Sequence, residues 1–206
     1  GGSVLVSRNA SAESFFKSMH SFSANWFQAV PTMLQNIVDH SQNIMQENLI
    51  SHDFRFIRSV SAALPSRLYH QAEQLFNCPL IEIYGMTETC GVITSNPLPP
   101  MSRKQGSVGI SAGCEIEIRD INGQPKSSNQ IGDIWVSGPS LMTGYELQEQ
   151  TQQVFEPGVF KTGDMGYIDN EGYLFINGRS REMINRGGEK IAPLEIDRIA
   201  EQHPNV

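Results

Sequence analysis

The stretch Ile83-Tyr-Gly-Met-Thr-Glu-Thr-Cys-Gly91 begins at the end of a short, largely apolar run, residues 80–83. It brings an aromatic ring, a carboxylate, two threonine hydroxyls and two glycines into nine residues. Such a loop is either a ligand site or a polar turn closing a strand, and what precedes it decides the architecture. Residues 3–7, 25–30, 55–60 and 80–83 read as strands. Residues 11–20, 31–39 and 66–76 between them carry the helical period. In the third helix Leu68, Ala72, Leu75 and Phe76 share one face, and Pro65 with Ser66 marks its start. Strand-helix alternation of this kind predicts an α/β unit with a helix-covered, mainly parallel sheet. Ligands in such sheets bind beyond the carboxyl ends of strands, which is where the quoted loop lies.

From about residue 98 the texture changes. Pro97, Pro99 and Pro100 break the chain, and Cys114-Glu-Ile-Glu-Ile-Arg119 then alternates as a half-exposed strand does. Asn122-Gly123 and Asp169-Asn-Glu-Gly172 are turn signals beside strand-like residues 133–137 and 173–176. This predicts a small antiparallel unit over residues 98–180, a sandwich or, as the favoured reading, a β-barrel. A basic, glycine-containing segment then leads to a helix starting at Pro193, with Ile196, Ile199 and Ala200 on one side. The expected domains are therefore 1–97 (α/β), 98–180 (barrel) and 181–206, a hinge with the start of an α+β lid.

Composition narrows the function. The 206 residues are 39% hydrophobic and 18% charged, which suits a folded core. A formal net charge of −7, with 15 basic residues spread without a run, argues against a nucleic-acid partner. No apolar stretch approaches the roughly 20 residues of a membrane helix, and no secretory leader is recognisable. A cytoplasmic setting is expected. Cys78, Cys90 and Cys114 are odd in number and far apart, so free, partly buried thiols are expected in place of a disulfide or metal framework.

Four clusters can be tested against a common ligand. Ser61-Ala-Ala-Leu-Pro65 has small residues after a strand, suited to a flat ring lying on the backbone or to a simple helix-entry turn. Tyr84-Gly-Met-Thr-Glu88 offers a ring for a base, a hydroxyl for a phosphate and a carboxylate for Mg²⁺. Phe160-Lys-Thr-Gly-Asp-Met165 places an acid after a glycine, where its two oxygens can accept from both hydroxyls of a ribose or merely face solvent. Gly178-Arg179 with Arg186-Gly-Gly-Glu-Lys190 suits a nucleotide or a solvated loop.

In this order and at these separations, the clusters resemble the adenylate-forming superfamily of acyl-CoA synthetases, luciferases and peptide-synthetase adenylation domains. Tyr84 to Glu88, Gly132-Asp-Ile-Trp-Val-Ser-Gly138 through Gly144-Tyr145, Lys161 to Asp164, and Gly178 to Ile196 match successive family motifs over essentially the whole chain. The last is most similar to acyl-CoA synthetases, including the oxalate–CoA ligase group.

The resemblance implies an enzyme that activates a small carboxylic acid with Mg-ATP and passes the acyl group to coenzyme A. Glu88 would hold Mg²⁺ and Thr87 would bond the α-phosphate, making these the catalytic pair. Tyr84 would stack on adenine, with Ala63 and Leu64 on its other side, and Asp164 with Arg179 would hold the ribose. Trp26, Phe27, Gly85 and Met86 would line the acyl pocket, although Trp26 and Phe27 read equally well as core residues. Arg181 would be the hinge of the lid, and Gly187 and Gly188 would line the CoA tunnel or form a turn.

Two family pieces have no counterpart in these residues: the Ser/Thr/Gly-rich phosphate loop and the C-terminal catalytic lysine. The expectation is a fragment of a longer synthetase, inactive in adenylation by itself. Two other readings stay open: a domain that loads a carrier-protein thiol, and a non-catalytic AMP-binding module. The acid is not legible, nor is the choice between monomer and homo-oligomer.

Overall fold

The computed structural model describes residues 2–7, 9–44, 52–187, 189–200 and 203. The chain forms two compact units, Gly1–Glu82 with Leu98–Gly106, and Ile83–Pro97 with Ser107–Val206. The two units interleave in sequence around residue 97. Tyr84, Met86 and Ile93 pack into the core of the antiparallel unit, whereas Arg103 pairs with Glu73 of the α/β unit at 3.0 Å.

The first unit contains α1 (Ala12–Ser21), β1 (Trp26–Ala29), α2 (Pro31–Ile44), β2 (Phe56–Ser59), α3 (Ser66–Phe76) and the first three residues of β3 (Leu80–Tyr84). β1 pairs in parallel with β2, and β2 with β3, as the alternation predicts. Ser11 caps α1, its side chain accepting from the Ser14 N–H, and Ala12, Phe16 and Met19 turn one face of that helix inward. Leu68, Tyr69, Ala72 and Phe76 do the same for α3, which ends at Asn77 in the left-handed region. These faces meet in one core with Leu34, Ile57 and Leu80. The fully enclosed Phe76 anchors that core, and its loss to alanine would cost about 3–5 kcal/mol.

One element differs from expectation. Residues 3–7 form no strand, and Val4 and Val6 are largely exposed. A short apolar run with no neighbouring strand among the described residues to share a ladder is not enough to make one.

In the second unit the end of β3 pairs antiparallel with β4 (Thr94–Ser95), and β4 with β5 (Ile110–Ser111). β6 (Glu115–Arg119), β7 (Gly132–Ser137), α4 (Gln148–Val154), β8 (Phe155–Glu156), β9 (Val159–Ile168) and β10 (Leu174–Arg179) follow. Their antiparallel sheet runs β10-β9-β7-β6, with β8 on β9. The antiparallel sheet is the one expected, and among the described residues no ladder joins β6 to β10. Period-two alternation turns Ile118, Ile134, Val136, Phe160 and Leu174 into a second core. The other face is polar: the Arg119 guanidinium lies 4.6 Å over the Trp135 ring and pairs with Glu117 and Glu156.

Finally, β11 (Ile184–Arg186) and β12 (Glu189–Ile191) pair antiparallel, and α5 (Pro193–Ala200) follows. Ile196 and Ile199 share a side of α5, as read from the sequence, and both are exposed.

Candidate active site

The loop after β3 is closed by its own backbone. The N–H groups of Thr89 and Gly91 both donate to Met86 O, Cys90 N–H donates to Thr87 O, and Ile93 N–H returns to Tyr84 O at 2.8 Å. Residues Thr87–Thr89 make one 3₁₀ turn inside this frame, and Cys90 leaves it in the left-handed region. Gly85 is required by space, since a Cβ there would sit 1.5 Å from the Gly91 carbonyl oxygen. Thr87 is thereby exposed, Glu88 half-buried and Met86 packed on the second core.

Asp164 reaches the same neighbourhood from β9. Trp135 pairs with Lys161 but Asp133 pairs with Met165, so β9 carries extra residues around Thr162-Gly163-Asp164. Bulges of this kind re-aim side chains. Asp164 stands opposite Arg179 on β10, and its Oδ1 forms an ion pair with Arg179 Nε at 3.2 Å. Its Oδ2 accepts from the Tyr84 hydroxyl at 2.6 Å. Thr162 Oγ1 steadies the backbone, accepting from Asp164 N–H and donating to Ile134 O. Burial first, and then the charge of Asp164, raise the Tyr84 hydroxyl far above its ordinary range, so it remains a proton donor. Asp164 is itself buried.

A second pair forms on Glu88. Its Oε1 accepts from the Tyr145 hydroxyl at 2.7 Å, and its backbone carbonyl accepts from Met142 N–H at 2.8 Å. Desolvation, and then the bond and charge of Glu88, push the Tyr145 hydroxyl up to about 12. Nothing in the sequence marks Tyr145 or Thr162 for these contacts beyond their places in the Gly132–Tyr145 and Lys161–Asp164 motifs. A hydroxyl within a motif has no spacing signature of its own.

The other expected residues are placed as follows. Ala63 and Leu64 precede α3 in the first unit, and Leu64 packs on its core. Phe27 belongs to that core, 4.9 Å from the Phe54 ring and 5.4 Å from Phe76. Trp26 points to the other face of its strand, where it stacks on Phe56 and lies 5.1 Å under the Arg58 guanidinium. Arg181 is in a 3₁₀ turn and is exposed, beside Glu182. Gly187 has φ +61° after β11, and Gly188 lies outside the described residues. Cys78 and Cys114 are buried and Cys90 is exposed, all three free.

These donor sets fit a magnesium nucleotide. A carboxylate has about four lone-pair sites, so Asp164 retains acceptor capacity beyond Tyr84 and Arg179. Glu88 supplies a hard oxygen, and Mg²⁺ is commonly held by one or two carboxylates together with substrate phosphates. Among the described residues no group of three or more His, Cys, Asp or Glu side chains forms a cage for a metal.

The AMP-binding enzyme family matches residues 1–146, and the chain belongs to that family. Among its relatives, an oxalate–CoA ligase of Arabidopsis thaliana is 40% identical over 198 residues, covering 95% of this chain and 38% of the relative. An oxalate–CoA ligase of Saccharomyces cerevisiae is 38% identical over 208 residues, covering 100% of this chain and 37% of the relative. Among solved structures, the O-succinylbenzoate coenzyme A synthetase of Bacillus subtilis in complex with ATP and magnesium superposes with a TM-score of 0.81 at 32% identity, over 95% of this chain and 40% of that one. The chain thus spans well under half the length of the relatives it matches.

Proposed function

We propose that this chain is part of an acyl-CoA synthetase, in which the second unit holds the nucleotide of an ATP-dependent, AMP-forming acid–thiol ligase. The observation that carries the reading is the convergence of Tyr84 from β3 and Arg179 from β10 on the buried carboxylate of Asp164 in β9. A ribose diol is a ligand whose two donors suit the acceptor capacity left on that carboxylate. Tyr84 offers a ring, fixed through its hydroxyl, against which adenine stacks.

In the reaction, an oxygen of the substrate carboxylate bonds to the α-phosphorus of ATP, the bond to the β-phosphate oxygen breaks, and pyrophosphate leaves. The thiol sulfur of coenzyme A then bonds to the acyl carbon, releasing AMP and giving up its proton. Alignment and charge neutralisation supply most of the acceleration in such displacements. When bound, magnesium neutralises phosphate charge, and Glu88 is the residue that would hold it. Thr87, exposed at the head of its turn, is the hydroxyl for the α-phosphate. Asp164 and Arg179 orient the ribose, Arg181 serves as the hinge of the lid that begins near residue 181, and Gly187 and Gly188 belong to the path of the thiol.

The names of the relatives make oxalate the first acid to test. Three free cysteines are in keeping with a reducing, cytoplasmic setting, and no described helix is long and apolar enough to cross a membrane. Acid-dependent exchange of pyrophosphate into ATP, measured for the full-length protein over a panel of mono- and dicarboxylic acids, tests the first half-reaction. Exchange with at least one acid is expected. Absence of exchange with every acid, while AMP still binds, would favour a non-catalytic nucleotide module.

A further inference from the structure

The loop that follows β7 grips Glu88 at two points. Met142 N–H donates to its backbone carbonyl at 2.8 Å, and the Tyr145 hydroxyl donates to its Oε1 at 2.7 Å. Among the described residues no hydrogen bond or ion pair holds Oε2. Tyr145 is itself anchored, because its N–H donates to Thr151 Oγ1 at 2.8 Å. Gly144 makes room for this contact: a Cβ there would lie 2.9 Å from the Thr151 side chain. A carboxylate with one oxygen committed to a neutral donor and the other without a partner is ordered but not neutralised. A partner that itself carried positive charge would compete with a cation. A phenol hydroxyl fixes the geometry and leaves the charge in place.

We propose that Tyr145 is a positioning residue for Glu88, orienting that carboxylate for a divalent cation, with Thr151 as the support that fixes Tyr145. The proposal rests on the reading of Glu88 as the cation-holding group. Groups that orient a metal's carboxylate ligand typically change metal affinity by about 10–100-fold when removed.

The test is a Mn²⁺ titration followed by electron paramagnetic resonance, on the full-length protein preloaded with a non-hydrolysable ATP analogue. Tyr145→Phe should raise the Kd for Mn²⁺ on the order of 10-fold, with affinity for the analogue in EDTA unchanged. Glu88→Gln should raise it at least as much. If Tyr145→Phe binds Mn²⁺ like the wild type while Glu88→Gln does not, the positioning role is overturned and the reading of Glu88 survives. If neither variant changes the Kd, both fall. Equal losses of analogue and Mn²⁺ affinity in Tyr145→Phe would mark a structural role only and also overturn the proposal. Should that variant not fold, Thr151→Val carries the same test: a raised Kd supports the proposal, and an unchanged one overturns it.

Discussion

The Tyr84 hydroxyl donates to Asp164 Oδ2 at 2.6 Å, joining two residues 80 positions apart in sequence. The contact couples the loop after β3 to the bulge in β9, so one carboxylate orders both an aromatic ring and a guanidinium.

That coupling changes what Asp164 substitutions should do. From the sequence alone, Asp164→Ala is expected to weaken nucleotide binding more than it disturbs folding. With the pair in place, alanine also leaves a buried hydroxyl without its acceptor, which costs about 1–3 kcal/mol. Asp164→Asn keeps an acceptor and should fold nearly as well as the wild type. Both should lose AMP affinity by about 10-fold or more, since bonds to a charged group contribute about 1.5–3 kcal/mol. Calorimetry with AMP on the full-length protein checks this, and unchanged affinity in Asp164→Asn would remove Asp164 from the ribose site.

Gly85→Ala tests the loop frame. The added methyl would overlap the Gly91 carbonyl at 1.5 Å, so the backbone must open. A loss of about 1–3 kcal/mol in stability, or more, is expected, together with loss of nucleotide binding. Denaturant unfolding reads the first and AMP titration the second. A variant with wild-type values for both would show that the loop closes differently.

The thiols should differ in reactivity. Burial, and then the charge of Glu73, push Cys78 from an ordinary 9.0 up to about 11, while Cys90 is exposed. Iodoacetamide at pH 8 should alkylate Cys90 readily and Cys78 only on unfolding. Because the folded thiol keeps its proton longer than the unfolded one, its contribution to stability is full below about pH 9 and is lost as pH rises through about 11. Denaturation of Cys78→Ala beside the wild type at pH 8 and pH 10.5 checks the sign: the gap between the two should move against the wild type at the higher pH.

Much of this was legible in the sequence. Period and punctuation found α1, α2, α3 and β1, β2, β3 because each buries a regular face against the others. The apolar run at residues 3–7 misled, because among the described residues no partner strand satisfies its backbone. β9 was missed as a long strand since Thr162-Gly163-Asp164 looks like a turn, and a bulge differs from a turn only in what lies across the ladder. α4 was missed because none of its residues is buried, so no apolar period existed to find. At the site, Tyr84, Glu88 and Asp164 announced themselves by residue type and order. The bonds Tyr84–Asp164 and Tyr145–Glu88 did not, because they join residues that only folding brings together.

The 206-residue chain taken alone should show no acid-dependent ATP–pyrophosphate exchange, since its sequence has no counterpart of the family's phosphate-gripping loop. Exchange above background by the purified chain would contradict that.

Product analysis of the full-length protein incubated with Mg-ATP, coenzyme A and oxalate or a related acid decides most directly whether the chain belongs to an acyl-CoA synthetase. AMP, pyrophosphate and acyl-CoA should form in equal amounts, each dependent on the acid, and should be lost in Glu88→Gln. ADP and phosphate as products, or AMP binding with no thioester formed from any acid, would contradict it.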